Sequence, residues 1–233
     1  MRYCYLHRSK PYIMQHSFTE ENYLKIIHNL SGPEGAEVST NALAEGTATR
    51  AASVTDMLKK LAEKDLINYK KYQGVTLTPT GEKLALKIIR KHRLWEVFLV
   101  ETLGFGWDEV HDIAEELEHI PSDRLMERLA AFLGHPQFDP HGDPIPDAKG
   151  NMPTADYLKL SEVDEGDKVR MMGVLEHTTP FLQHLDRSGL MLGCEMEIKE
   201  TNDYDKSALV QIDGVKTLFL SQEVSKNLLV QRV

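Results

Sequence analysis

At 233 residues, 41% hydrophobic and 27% charged, the chain has the composition of a globular protein large enough for a sizeable core. Its formal net charge is −9, Cys4 and Cys194 stand alone, and no apolar run reaches the ~18 to 20 residues of a membrane span. A disulfide framework, a thiolate zinc site and a spanning helix are excluded, the basic, polar start "MRYCYLHRSKPYIMQHS" lacks the apolar core of a signal peptide, and the cytoplasm is the expected compartment.

"SFTEENYLKIIHNLS" predicts a first helix over about 18–30, capped by Ser17 or Thr19 and broken by Gly32, Pro33 and Gly35. "VSTNALAEGT" predicts a short second helix capped by Ser39 or Thr40. After Gly46-Thr47, "TRAASVTDMLKKLAEKDLI" carries Val54, Met57, Leu58, Leu61 and Leu66 as one apolar stripe of a third helix. "INYKKYQGVTLT" predicts two short strands with Gly74 in the turn, and Pro79 opens a long helix to about 102.

Helix, short helix, turn, third helix and basic hairpin form the order of a winged helix-turn-helix, whose third helix enters the major groove. Residues 47–93 hold eleven basic residues against four acidic ones, so a polyanion is the expected partner of this part despite the acidic total. The candidate DNA-facing residues are Thr47, Thr49, Arg50, Ala51, Ala52, Ser53, Thr55, Asp56 and Lys59, with Lys70, Lys71 and Tyr72 of the wing on phosphates. Small side chains let a helix approach base edges, and hydroxyls and Arg50 supply hydrogen bonds. A helix-turn-helix serving only structure or protein contacts is the alternative.

Beyond a turn at "LGFGW", "DEVHDIAEELEHI" predicts a helix over 107–120 ended by Pro121, and "SDRLMERLAAFLG" another, capped by Ser122 and closed by Gly134. Five prolines make 135–153 a predicted loop. Gly-punctuated, alternating segments then predict a small β-barrel over 157–233, joined by a flexible tether. The chain therefore divides into an N-terminal extension (1–16), a winged helix-turn-helix (17–78), a helical domain with its Pro-rich linker (79–153) and a small β domain (154–233), a mainly α architecture.

Residues 94–168 hold eighteen acids against five bases, which points to cations as ligands of this part. On the helix at 107–120, His111, Glu115, Glu118 and His119 are three or four residues apart and share a face, and the preceding helix carries His92 and Glu96, again four apart. Two facing helices would supply three imidazoles and three carboxylates, a nitrogen and oxygen set suited to manganese, iron(II), zinc or cobalt. Either helix alone reads equally as a solvated acidic face.

These residues resemble the diphtheria-toxin-repressor and manganese-transport-regulator family of metal-dependent transcriptional repressors, in its long form with a C-terminal SH3-like domain. The resemblance runs from about residue 17 to the end and is carried by "TEENYLKIIHNL", "LTPTGEKLALKIIRKHRLWEVFL", "VHDIAEELEHI", "DPHGDPIP" and "GLMLGCEMEI". It implies an ancillary metal site at His92, Glu96 and His111 and a primary site at Glu115, Glu118 and His119. Glu115 stands where iron-responsive members carry Cys, which favours Mn(II), with Fe(II) next and Zn(II) or Co(II) as substitutes.

Asn22 departs from the Met or Asp of the family, and Lys25 from the Glu of some manganese-sensing members. Asn22 can ligate through its neutral amide oxygen, whereas Lys25 opposes a second cation. Asp139 and His141 match positions that complete the second site in some long members, and His177, with Glu176, falls where the SH3-like domain can reach back to the metals.

The implied function is a homodimeric repressor of metal-uptake genes, its dimer contact lying between Trp107 and Leu133, with metal ordering it on double-stranded operator DNA. The resemblance starts near Met14, so residues 1–13 are expected to be an upstream extension. A dinuclear metallohydrolase and a metal-independent winged-helix regulator are the rivals. The former lacks an HEXXH or nucleophile motif.

Overall fold

The computed structural model describes residues 16–32, 34–70 and 74–233, which form two compact units divided after Ile88. In the first, α1 (Phe18–Ser31), α2 (Thr40–Gly46) and α3 (Ala51–Glu63) precede an antiparallel pair, β1 (Ile67–Lys70) and β2 (Gly74–Leu77), and the first half of α4 (Pro79–Val97). Ser17 is the cap of α1: its hydroxyl accepts from Glu20 N at 3.3 Å while its own N–H donates to Glu20 Oε2 at 3.0 Å. Ser39 caps α2, accepting from Ala42 N at 3.1 Å.

The apolar stripes meet in one core of Leu24 and Ile27 from α1, Leu43 from α2, and Val54, Leu58 and Leu61 from α3, all fully buried. Gly74 pairs with Lys70 as the first residue of β2 rather than sitting in the turn, since the Val38–Val75 bridge extends the ladder beside it. Gly81 is required where α4 starts, because a Cβ there would lie 1.9 Å from Leu66 O. Thr78 Oγ1 accepts from Gly81 N at 3.1 Å and donates to Asp65 O at 2.8 Å, so one hydroxyl caps α4 and fastens it to the end of α3.

The second unit begins with the remainder of α4. The long helix predicted to about 102 stays α-helical only to Val97 and closes as a π-helical turn over Phe98–Thr102. α5 is also shorter than predicted, Val110–Leu117, with Glu118 as its cap and His119 beyond it. α6 (Asp123–Phe132) is capped by Ser122 and packs Met126, Leu129 and Ala130 against Leu94, Val97 and Ile145.

The C-terminal part is an antiparallel six-stranded sheet in the order β3-β8-β4-β5-β6-β7, built from β3 (Leu158–Lys159), β4 (Lys168–Val174), β5 (Glu195–Thr201), β6 (Ala208–Ile212), β7 (Lys216–Leu220) and β8 (Leu228–Arg232). Register shifts at Met171/Gly173 and Ile198/Glu200 bend it around Val169, Met171, Val210 and Val230.

Two helices were not predicted here, α7 (Thr179–Ser188) and the short α8 (Gln222–Ser225). The signals of α7 were present: Pro180 in the first turn, Leu182 and Leu185 on the buried face, and Gly189 closing it at φ 71°. Nor is the Pro-rich segment a loose tether. Ile145 N donates to Gln137 O, Asp139 N to Asp143 O, and Val174 N of β4 to His141 O, all within 2.8–2.9 Å. Gly142 makes this approach feasible, since with φ at 90° a Cβ would lie 2.2 Å from Met172 O.

Candidate metal centre

Three elements of the second unit bring carboxylates and imidazoles together. α4 presents His92 and Glu96 on one face, with His92 Nε2 3.0 Å from Glu96 Oε1. α5 presents His111 and Glu115, with His111 Nε2 3.7 Å from Glu115 Oε1. The turn after α5 inserts Glu118, whose Oε2 lies 2.7 Å from His92 Nδ1, and the loop at 139–143 brings His141 Nδ1 to 3.7 Å from Glu96 Oε2.

Among the described residues, three sets of ligand atoms lie within 4.8 Å of one another: His92, Glu96 and His111; His92, Glu115 and Glu118; and Glu96, Asp139 and His141. His92 belongs to two sets and Glu96 to two, so the sets form a chain rather than isolated sites. His119 is buried, with Nε2 3.8 Å from Glu118 Oε1, but joins none of the three. Asn22 belongs to the first unit, where its amide oxygen is buried without a hydrogen-bond partner, and Lys25 on the same helix is buried.

Glu96 and Glu118 are almost fully buried, and so are His92 and His141, whereas His111 is half exposed. Burial alone would raise the Glu96 carboxyl, yet hydrogen bonds from His111, His141 and His92 hold it well below the usual carboxylate range. Burial pushes Asp139 up to about 7, with Glu96 and Asp143 adding to the effect. Burial opposes protonation of His141, but Glu96 outweighs it and raises this imidazole.

The donor chemistry fits a divalent cation. Both ring nitrogens of His92 face carboxylate oxygens, and a neutral imidazole can donate from only one of them. The cluster therefore needs additional positive charge, from protons or from a metal ion held by hard nitrogen and oxygen donors. His141 is oriented for ligation: Nε2 donates to Trp107 O at 2.8 Å, leaving Nδ1 toward Glu96. Its ring stacks on Trp107 and, with centroids 4.9 Å apart, on His177.

Supporting residues went unrecognised in the sequence. Lys91 Nζ donates to Glu118 O at 2.5 Å and reaches Ile120 O, placing a cation on the carboxyl end of α5 and fixing the turn that carries Glu118 and His119. Arg93 donates to Asp143 Oδ2 at 3.1 Å and to Pro144 O, with Nε 3.6 Å from Asp139 Oδ2. Asp139 Oδ1 accepts from His141 N and Asp143 N, so this side chain shapes the loop as well as facing Glu96. No local pattern marks these roles, which depend on partners up to 51 residues away.

In the winged helix, Arg50, Ala52, Ser53, Asp56 and Lys59 are exposed on or next to α3, and Lys59 Nζ pairs with Asp56 Oδ1 at 3.1 Å. The threonine hydroxyls are largely engaged inside the protein. Thr47 Oγ1 donates to Leu43 O, Thr49 Oγ1 lies 2.7 Å from it and 3.3 Å from Tyr23 OH, and Thr55 Oγ1 donates back to Ala51 O. Lys70 ends β1, while Lys71 and Tyr72 lie outside the described residues.

A winged helix, a buried cluster of nitrogen and oxygen ligands and an SH3-like sheet in one chain define a metal-responsive DNA-binding regulator. Three family models match: the iron dependent repressor N-terminal DNA binding domain over 17–75, the iron dependent repressor metal binding and dimerisation domain over 78–147, and the FeoA domain over 158–232. The chain belongs to the diphtheria toxin repressor family of iron- and manganese-dependent transcriptional repressors.

It is 30% identical over 198 residues to the diphtheria toxin repressor of Corynebacterium diphtheriae, covering 80% of this chain and 86% of that one. It is 27% identical over 227 residues to the iron-dependent repressor IdeR of Mycobacterium tuberculosis, covering 92% and 97%. Among solved structures, a manganese-dependent transcriptional repressor in complex with manganese matches with a TM-score of 0.82 at 36% identity, covering 92% of this chain and 100% of the other. ScaR with bound Zn2+ matches with a TM-score of 0.74 at 33% identity, covering 92% and 99%. No helix among the described residues is long and apolar enough to cross a membrane.

Proposed function

We propose that this chain is a repressor of metal-uptake genes activated by Mn(II), with Fe(II) as the next candidate and Zn(II) or Co(II) able to substitute. The observation that carries the metal assignment is His92, set between the buried carboxylates of Glu96 and Glu118 in a cluster without sulfur. Glu115, in the place of a thiolate ligand, favours manganese over iron. The manganese-bound structural relative supports the same preference.

The proposed ligands are His92, Glu96 and His111 for one ion and Glu115, Glu118 and His119 for another, with Asp139 and His141 extending the set through Glu96. Sharing of His92 and Glu96 between sets favours one connected centre. Asn22 is proposed as a further ligand on its own chemistry, a buried amide oxygen that accepts no hydrogen bond. A bound divalent ion supplies the positive charge that the four carboxylates of the cluster otherwise draw from protons.

The proposed response is a population shift: an ion that binds the DNA-competent state more tightly favours that state, with a coupling of about 1–3 kcal/mol. In a homodimer each α3 would enter a major groove of operator DNA. Arg50, Ala52, Ser53, Asp56 and Lys59 would meet it directly, Lys70 and Lys71 would hold phosphates, and Thr47, Thr49 and Thr55 would shape the turn. Leu103, Leu125 and Phe132, exposed on the helical part, favour that region as the dimer contact.

The test is an operator-binding titration with Mn(II), Fe(II), Zn(II) and Co(II) side by side, with chelator as control. Binding that follows Mn(II) and vanishes with chelator is expected. Equal activation by all the metals would sink the manganese preference, and binding indifferent to chelator would sink the metal response.

A further inference from the structure

Near its end α3 carries Lys60, and Lys64 is its C-cap, both within the basic stretch for which a polyanion is the expected partner. Lys60 follows Ser53 and Asp56 at helical spacing, on the exposed row that begins with the candidate base-facing residues, and Lys64 continues it. The structure turns both onto one carboxylate. Lys64 Nζ donates to Oε1 and to Oε2 of Glu20 at 2.8 Å each, and Lys60 Nζ lies 2.9 Å from Oε1. Ser17 N donates to Oε2 at 3.0 Å, so the carboxylate collects donors as a backbone phosphate would. Glu20 is fully buried, whereas the lysine side chains remain 52% and 36% exposed.

The geometry of the pairs holds these lysines in place. Moving them to a DNA phosphate would cost the Glu20 carboxylate the charge-assisted bonds from both lysines. Phosphate contacts position a protein on DNA but read no sequence, so two withheld lysines remove affinity that is the same on every duplex.

We propose that Glu20 is an internal counter-anion of the recognition helix: it occupies Lys60 and Lys64 in place of DNA phosphates and thereby limits sequence-independent binding. This rests on the assignment of α3 as the DNA-reading helix. Each phosphate contact contributes about −0.9 to the slope of log K against log salt on B-DNA, so freeing both lysines steepens that slope by up to about 1.8. At 0.1 M salt the same change tightens binding by up to about 60-fold.

The experiment measures binding of the full chain, with Mn(II) present, to a mixed-sequence duplex across a salt series. Glu20→Gln is expected to steepen the slope and tighten binding. Glu20→Gln combined with Lys60→Met and Lys64→Met, which removes the whole network without stranding a charge, is expected to return the slope to that of the wild type. A flatter slope than wild type in the triple variant would mean that the lysines already touch phosphates, and would overturn the proposal even if Glu20→Gln alone failed to fold. A wild type that binds duplex with a slope unaltered by Glu20→Gln overturns the role of Glu20 alone. A wild type that binds no duplex overturns the DNA-reading assignment and this role with it.

Discussion

Nδ1 of His92 lies 2.7 Å from Oε2 of Glu118, joining the middle of α4 to the residue that follows α5. The two are 26 residues apart, and both are buried. A shift of either element therefore breaks this contact and moves the candidate ligands apart.

Glu118→Gln keeps the shape and removes the charge from this pair. Mn(II) affinity should fall by more than the ~10–100-fold typical of outer supporting residues, because a ligand itself is lost. Competition against a fluorescent chelator measures it, and an affinity within threefold of wild type would remove Glu118 from the ligand set.

Lys91→Met tests support rather than ligation. It removes the cation from the carboxyl end of α5 while leaving every candidate ligand in place. Mn(II) affinity should fall about 10–100-fold, with operator binding restored at higher metal concentration. Unchanged affinity would show that the turn carrying Glu118 holds its own position.

Gly142→Ala should be destabilising by about 2 kcal/mol or more, because positive φ and a backbone clash coincide at one position. The thermal midpoint of the metal-free protein reads the effect. A variant as stable as wild type would contradict the close packing of the 139–143 loop on β4.

The acid limb of stability should depend on Glu20. Burial opposes its ionisation, but hydrogen bonds from Lys64 and Lys60 lower its pKa from 4.5 in a free side chain to about 2. Between those values the unfolded chain binds the proton and the folded chain does not. The stabilisation is thus fully present above about pH 4.5 and is lost as pH falls toward 2. Denaturant melts at pH 6 and pH 3 should differ less in Glu20→Gln than in wild type, and an equal difference would refute this.

On α3 the hydroxyl of Thr55 is turned back to Ala51 O, whereas Arg50 is exposed. Thr55→Val should leave operator affinity within a few-fold, and Arg50→Ala should weaken it by about 1–3 kcal/mol. Gel-shift titrations with each variant decide it, and the reverse order would move the DNA-facing surface.

The winged helix was legible because each element announces itself locally. Ser17 and Ser39 cap, Gly32 closes α1, and the stripe of Val54, Leu58 and Leu61 repeats at the helical period. The ligand types were legible in the same way, since His92 and Glu96 or His111 and Glu115 lie one helical turn apart. α7 is less legible, because Pro180 and Gly189 mark its ends within a region whose flanking segments alternate like strands. The overlong helix at 107–120 reflects boundaries, which depend on packing more than on propensity.

By itself the sequence determined a winged helix, a set of hard ligands and the family to which they belong, because periodicity, caps and side-chain chemistry act over a few residues. Tertiary structure alone decided that His92 stands between Glu96 and Glu118, that His141 turns Nδ1 toward Glu96, and that Glu20 takes Lys60 and Lys64. Apart from His92 and Glu96, one helical turn apart, these are pairings across as many as 45 residues of chain, made where burial brings charges together and water screens them less, and no local spacing records them.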